Sequence, residues 1–247
     1  MKRAFYQEAM AACQRAKKLL KSAECRDLMH KNEMIGAGGD RSSGLDLAME
    51  KIFAEALAPY GRIESEESGC IGEGKQRIIL DPLDGSSNAL SRFPYYGVSI
   101  ARIGEDGILR EALVCNLANG DLFLIDEQGH PLQGTLGCER FTPPAPPPFP
   151  EVGIFERAYA HPEIVSALDR EGLKFRSPGA VALSLAYARN VNYMLFVGPF
   201  RIYDFAAGLA LCKGLELIVE EEYVLVARQR KVAQKIETIL LKARSEP

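Results

Sequence analysis

No helix and no central strand can run through residues 142–150, TPPAPPPFP. Proline lacks the backbone donor that both structures need, and it fixes φ. The segment reads as a stiff linker between an N-terminal half, residues 1–141, and a C-terminal half, residues 151–247. In the first half an amphipathic helix opens the chain, with Phe5, Met10, Cys13, Ala16, Leu19 and Leu20 near one face. A glycine-rich stretch, GAGGDRSSG (36–44), precedes a second helix from about Leu45, capped by Ser42 or Ser43. Strand-like runs follow at 77–80, 95–103, 111–117 and 121–125, with Asn119-Gly120 as a hairpin signal between the last two. Beyond the linker, helices (about 162–169, after Gly179, about 204–213, about 229–243) alternate with strands (192–197, 221–227). That alternation predicts an α/β second half behind an α+β first half.

Charge and length narrow the function. The 247 residues carry a formal net charge of -3, which gives no electrostatic reason to expect nucleic acid as a partner. No apolar run approaches the ~20 residues that span a bilayer, and the charge-studded N-terminus does not read as a signal peptide. The six cysteines show no C-x-x-C spacing, so free thiols in a reducing cytoplasm are expected rather than a zinc site. His30, His130 and His161 fall at a helix end, a hairpin turn and a helix start, and are expected to be structural or exposed.

The chemistry concentrates in DPLDGSS, residues 81–87, directly after the apolar QRIIL. Pro82 is expected to break the strand and let Asp81 and Asp84 converge beside the Leu83 carbonyl. Two carboxylates and a carbonyl are hard oxygen donors that suit Mg²⁺ or Ca²⁺. Gly85 permits close backbone approach, and Ser86 and Ser87 can open a short helix whose free N–H groups face an anion. The same residues also fit an Asx-type turn with no ligand. Glu66 and Glu67 within ESEESG (64–69) offer a further candidate ligand, or two solvated acids. Asp46 falls in the first turn of its helix, where a macrodipole role would also suffice. Asp204, in RIYDFAAG (201–208), fits an N-cap equally well.

Together these motifs resemble the inositol monophosphatase and fructose-1,6-bisphosphatase superfamily of Mg²⁺-dependent, lithium-sensitive phosphatases. DPLDGSSN (81–88) resembles the D-P-[IL]-D-G-[ST]-x-N motif, and GGDRSSGLD (38–46) the first acidic segment. SEES resembles the Glu-Glu metal segment, SRFPYYGVSIA (91–101) the stretch after the metal motif, and YDFAAG the W-D-x-A-A-G motif. The resemblance runs from about residue 36 to about 214. It implies a layered αβαβα sandwich and two or three Mg²⁺ ions. Glu66, Asp81 and the Leu83 carbonyl would hold the first; Asp81, Asp84 and Asp204 the second; a third would sit near Glu66 through waters. It further implies a metal-activated water beside Ser86, whose hydroxyl is oriented by Asp46, and a phosphate held at Gly85, Ser86 and Ser87. Ser177 and Ala180 would border the sugar.

Departures from the family pattern bear on the substrate. Val197 stands where inositol phosphatases commonly carry a glutamate, with Arg201 and Tyr203 nearby. Arg201 is a candidate for a second phosphate by a bidentate contact, or for a surface ion pair. CKG (212–214) replaces A-G-G, and the tail from Leu215 is short for the family. The resemblance implies a sugar or cyclitol phosphate substrate, inositol monophosphate and/or fructose-1,6-bisphosphate, and a homo-oligomer with a dimer favoured. A 3′-phosphoadenosine 5′-phosphate phosphatase and a non-catalytic module of the same fold are the alternatives.

Overall fold

A computed structural model describes residues 4–29, 32–39 and 41–245; His30 lies outside them. The chain begins with α1 (Ala4–Leu20) and α2 (Glu24–Met29), then a short antiparallel pair, β1 (Asn32–Ile35) and β2 (Arg41–Ser43). Next come α3 (Gly44–Leu57), β3 (Arg62–Ser65), β4 (Gly69–Ile71), β5 (Arg77–Asp84) and α4 (Ser86–Leu90). A meander of β6 (Gly97–Ile103), β7 (Leu109–Asn116), β8 (Asp121–Ile125) and β9 (Pro131–Thr135) completes this part. Among the described residues these strands form a larger sheet in the order β4-β3-β5-β6-β7-β8-β9, with only the β3–β5 pair parallel.

The proline-rich segment is mostly exposed and holds no helix or strand beyond an isolated bridge from Thr142 to Gln133. After it come β10 (Gly153–Glu156), α5 (Pro162–Arg170), β11 (Phe175–Arg176), α6 (Val181–Ala186), β12 (Tyr193–Val197) and α7 (Ile202–Leu211). β13 (Glu216–Val219), β14 (Tyr223–Ala227) and α8 (Arg230–Ser245) follow. The smaller sheet runs β11-β10-β12-β14-β13.

Strand periodicity explains the stacking, because alternate residues point to opposite faces. Ile78, Leu80, Leu113, Cys115, Leu122 and Leu124 meet α1 and α3 on one face of the larger sheet. Ile79, Ala112, Val114, Phe123 and Ile125 meet α6 and α7 on the other. Those two helices turn Leu185 and Phe205 toward Met194, Phe196, Val224 and Val226 of the smaller sheet. Tyr193, Leu195, Tyr223 and Leu225 then face α5 and α8. The result is helix, sheet, helix, sheet, helix: the αβαβα sandwich expected from the sequence. All six cysteines are free. Among the described residues no helix is long and apolar enough to cross a membrane.

Candidate active site

β5 delivers the acidic motif, but Pro82 does not end it. The strand continues to Asp84 because its pairing changes there. Its register with β3 stops at Leu80, and its register with β6 slips between Asp81 and Asp84. A proline is tolerated at such a bulge, where no ladder donor is required. The Leu83 N–H turns inward instead and donates to Asp81 Oδ1 at 3.0 Å. Asp81, Leu83 and Asp84 are all buried.

Two further carboxylates converge on this bulge. Glu66 follows β3, anchored where its N–H donates to the Leu80 carbonyl at 3.0 Å. Asp204 sits in the first turn of α7, which Arg201 rather than Asp204 caps. One carboxylate oxygen from each of Glu66, Asp81 and Asp204 lies within 4.8 Å of the others. Asp84 stands beside this triad, with its Oδ2 accepting the Leu183 N–H at 2.9 Å. Burial, reinforced by Glu66, Asp84 and Asp204, pushes the Asp81 carboxyl well above the usual carboxylate range. Burial and then Asp204 do the same to Asp84. Arg201 leans into the cluster: its Nη1 is 2.7 Å from Glu66 Oε1 and 3.1 Å from the Gly38 carbonyl, and its Nε is 3.3 Å from Asp204 Oδ2. The guanidinium proposed from the sequence for a second phosphate is thus engaged by the carboxylates.

Asp46 comes from the start of α3, where Ser43 rather than Ser42 is the cap in a capping box. The Ser43 N–H and hydroxyl both donate to Asp46 Oδ2, at 2.7 and 2.6 Å. Asp46 Oδ1 is buried with no hydrogen-bond partner. The hydrogen bonds of Asp46 therefore run to Ser43 and not to Ser86, although both Asp46 and Ser86 line the same cavity. Ser42 donates to Glu67, and Glu50 accepts from Ser68, so the acidic loop is fastened to β2 on one side and to α3 on the other.

Gly85 makes the turn that follows. Its φ is +79°, and a Cβ there would lie 2.9 Å from the Ala180 Cβ and 3.0 Å from the Tyr95 carbonyl. The turn starts α4, whose first N–H groups have no partner within the helix. Asn88 stitches it down by donating to the carbonyls of Tyr95 and Pro178, both at 2.7 Å. Gly85, Ser86 and Ser87 share a cavity of about 600 Å³ with Asp46, Glu66, Asp81, Asp84 and Asp204.

Two expected substrate contacts lie elsewhere. Ser177 opens onto a separate apolar cleft and accepts from the Ala158 N–H at 3.4 Å. Ala180 is buried behind Gly85, so Gly179 and Val181 line the cavity in its place. Arg157 and Tyr159 also line the cavity, and Glu156 stands behind it, although no motif marks them. Buried Glu156 accepts from the Gly179 N–H at 2.9 Å, the Ala180 N–H at 3.3 Å and the Ser184 hydroxyl. It thereby fixes the α6 entry that backs Gly85 and supports Asp84. The available signal was the charged pair Glu156-Arg157 ending the short apolar run GIF.

The donor set fits a hard divalent cation. Apart from Arg201, which pairs with Glu66 and Asp204 from one side, the converging side chains are carboxylates; they are largely buried, and a nearby buried acceptor, Asp46 Oδ1, is left without a donor. Buried like charges at this spacing are costly unless a cation offsets them.

A model of the inositol monophosphatase family matches residues 1–219. The chain belongs to the inositol monophosphatase family. It is 31% identical over 195 residues to Nus factor SuhB of Xylella fastidiosa, covering 70% of this chain and 66% of that protein. It is 31% identical over 224 residues to the fructose-1,6-bisphosphatase/inositol-1-monophosphatase of Methanothermobacter thermautotrophicus, covering 79% and 74%. The crystal structure of extragenic suppressor protein suhB from Bartonella henselae superposes with a TM-score of 0.75 at 22% identity, over 96% of this chain and 98% of that one.

Proposed function

We propose that this protein is a Mg²⁺-dependent phosphate monoester hydrolase acting on a sugar or cyclitol phosphate, inositol monophosphate and/or fructose-1,6-bisphosphate. The observation that carries this is the Glu66–Asp81–Asp204 cluster opening into the same cavity as the Gly85–Ser87 turn. Glu66, Asp81, Asp84, Asp204 and the Leu83 carbonyl would hold two or three Mg²⁺ ions at this cluster. Bound magnesium acidifies water and neutralises phosphoryl oxygens. The chain's own residues supply position and protons. Gly85, Ser86 and Ser87 orient the phosphate through backbone N–H groups. Ser86 presents its hydroxyl to the attacking water, and the free Asp46 Oδ1 takes the proton. Glu156 keeps α6 seated, so that the Leu183 N–H fixes one Asp84 oxygen and leaves the other to the cavity.

Relatives named Nus factor SuhB favour a second reading, a metal- and phosphate-binding module without turnover. Phosphate release separates the two. The substrates are fructose-1,6-bisphosphate, inositol-1-phosphate and 3′-phosphoadenosine 5′-phosphate, with and without Mg²⁺ and with lithium added. Mg²⁺-dependent, lithium-sensitive release from a sugar or cyclitol ester is expected. Mg²⁺ binding without release from any of the three would replace the enzyme with the binding module.

A further inference from the structure

Away from the catalytic cavity, the junction of α1 and α2 meets the far end of α4 in a second hollow of about 370 Å³. The two cavities share no lining residue. The whole chain carries a net charge of -3, yet this hollow is lined by Lys21, Arg26 and Arg92 and by no carboxylate. All three residues are exposed, and among the described residues no carboxylate or carbonyl pairs with their side chains. The acids of α2, Glu24 and Asp27, are exposed and lie outside the lining. Leu20, Cys25, Ala89 and Tyr96 make a less polar floor. Burial pushes the Cys25 thiol up while the Arg92 charge pulls it back, which places that charge close to the floor. Ser22 pins the junction, donating to the Leu19 carbonyl at 2.8 Å and accepting from the Cys25 N–H at 3.4 Å.

The backbone at Arg92 is a second, independent sign. α4 closes in a Schellman motif, with the Phe93 N–H donating to the Asn88 carbonyl at 2.8 Å and the Arg92 N–H to the Ala89 carbonyl at 3.0 Å. Arg92 takes the left-handed position of that motif, with φ at +56°. Glycine is usual there, because it has no Cβ to crowd the turn. Arginine is the costlier residue, and what it adds is a guanidinium set on a fixed turn beside Lys21 and Arg26. Three such cations around a hollow of ligand size recognise an anion of more than one charge. The two planar forks suit phosphate best.

We propose that this hollow is an anion site, separate from the catalytic cavity, for a small molecule bearing a diphosphate or two neighbouring phosphate groups. Lys21, Arg26 and Arg92 hold the phosphates, and the floor from Leu20 to Tyr96 takes the remainder. The site goes beyond the phosphomonoesterase reading and holds whether or not the cavity turns over an ester. A ligand bound there ties the α1–α2 junction to the end of α4, the helix that opens on Ser86 and Ser87 of the catalytic cavity.

The test is titration calorimetry with pyrophosphate as the probe, in EDTA at about pH 8. Without a divalent cation the catalytic carboxylates repel the probe, so the heat reports the basic hollow. One pyrophosphate per chain is expected, bound more tightly than inorganic phosphate. Lys21→Gln and Arg26→Gln together should weaken it about 10- to 100-fold, the scale of a charge-assisted contact. Arg92→Gly should weaken it at least about tenfold while melting no lower than wild type, since glycine suits the left-handed position; lost binding is then not lost fold. Arg157→Gln, on the wall of the catalytic cavity, should bind as wild type does. Hydrogen exchange places the probe, with protection rising in segments 20–27 and 88–93. No binding by wild type, unchanged binding in the Lys21→Gln, Arg26→Gln double variant, lost binding in Arg157→Gln, or protection at segment 62–67 instead overturns the proposal.

Discussion

Asp81→Asn should make the protein more stable in chelator and unable to gain stability from Mg²⁺. Asp81 is 2% exposed, and its carboxylate shares a cluster with those of Glu66 and Asp204, within 4.8 Å. At an effective dielectric of about 20, two unit charges at that separation repel by ~3 kcal/mol. Partial protonation and Arg201 relieve much of this, so the net gain from neutralising Asp81 is about 1–3 kcal/mol. The substitution is isosteric, and Asn Oδ1 keeps the bond from the Leu83 N–H. At ~2–4 °C per kcal/mol for a chain of this size, Tm in EDTA rises by roughly 2–12 °C. The sign follows from linkage. Burial and like charges raise the Asp81 pKa in the fold. The native state therefore loses stability as pH rises through that raised value, and the advantage of the variant grows from acid toward pH 8. Saturating Mg²⁺ should reverse the order: at 100 times Kd wild type gains ~2.7 kcal/mol, while the variant gains nearly nothing and turns over no substrate. Scanning calorimetry at pH 5 and pH 8, in EDTA and in Mg²⁺, reads all four states. A variant that melts below wild type in EDTA, or keeps the Mg²⁺ shift, would sink the assignment of Asp81 as a buried ligand.

Arg201→Ala removes the cation held by Glu66 and Asp204; Tm in EDTA should fall by a few degrees and Mg²⁺ should bind more tightly by calorimetry. Weaker Mg²⁺ binding would make Arg201 a support for the site rather than a competitor. Gly85→Ala forces an L-residue into the left-handed region and a Cβ against Ala180. It should cost ~1–3 kcal/mol and cut kcat/KM by at least tenfold, and wild-type kinetics would disprove the close approach. Glu64 is held down to about 2 by Arg77, with Arg62 assisting. Its contribution is present above the ordinary value of 4.5 and lost as pH falls toward 2, so Glu64→Gln should flatten the acid limb of stability against pH. The change is small because both arginines are partly in solvent, and an unaltered acid limb would show that the pair contributes nothing.

The five-layer sandwich was foreseen through the motif resemblance, and the strands themselves were visible wherever apolar periodicity ran long. The strands 193–197 and 223–227 are fully or nearly fully apolar and appear close to where their sequence places them. β3, β4, β11 and β13 escaped because they are short or carry polar residues at edges, where pairing rather than composition decides. DPLDGSS disclosed the donors, but not that the strand continues through Pro82, since a bulge is set by the partner strand. Arg201 and Ser177 were misplaced for a related reason. Sequence proximity to a motif says nothing about which cavity a side chain enters, and Arg201 sits three residues from Asp204 with its guanidinium drawn down onto two carboxylates.

The covering of the larger sheet has a consequence for how the chain is made. One apolar face, with Ile79, Val114 and Phe123, is closed only by α6 and α7, which the ribosome delivers after the proline-rich segment. At ~5–20 residues per second, Asp204 emerges on the order of ten seconds after Asp84. During that interval the meander is translated but half uncovered, with its aspartates lacking the partners that arrive last. A nascent chain paused before residue 180 should therefore be a sticky, chaperone-dependent species, and the release of its last quarter is the step that makes it self-sufficient.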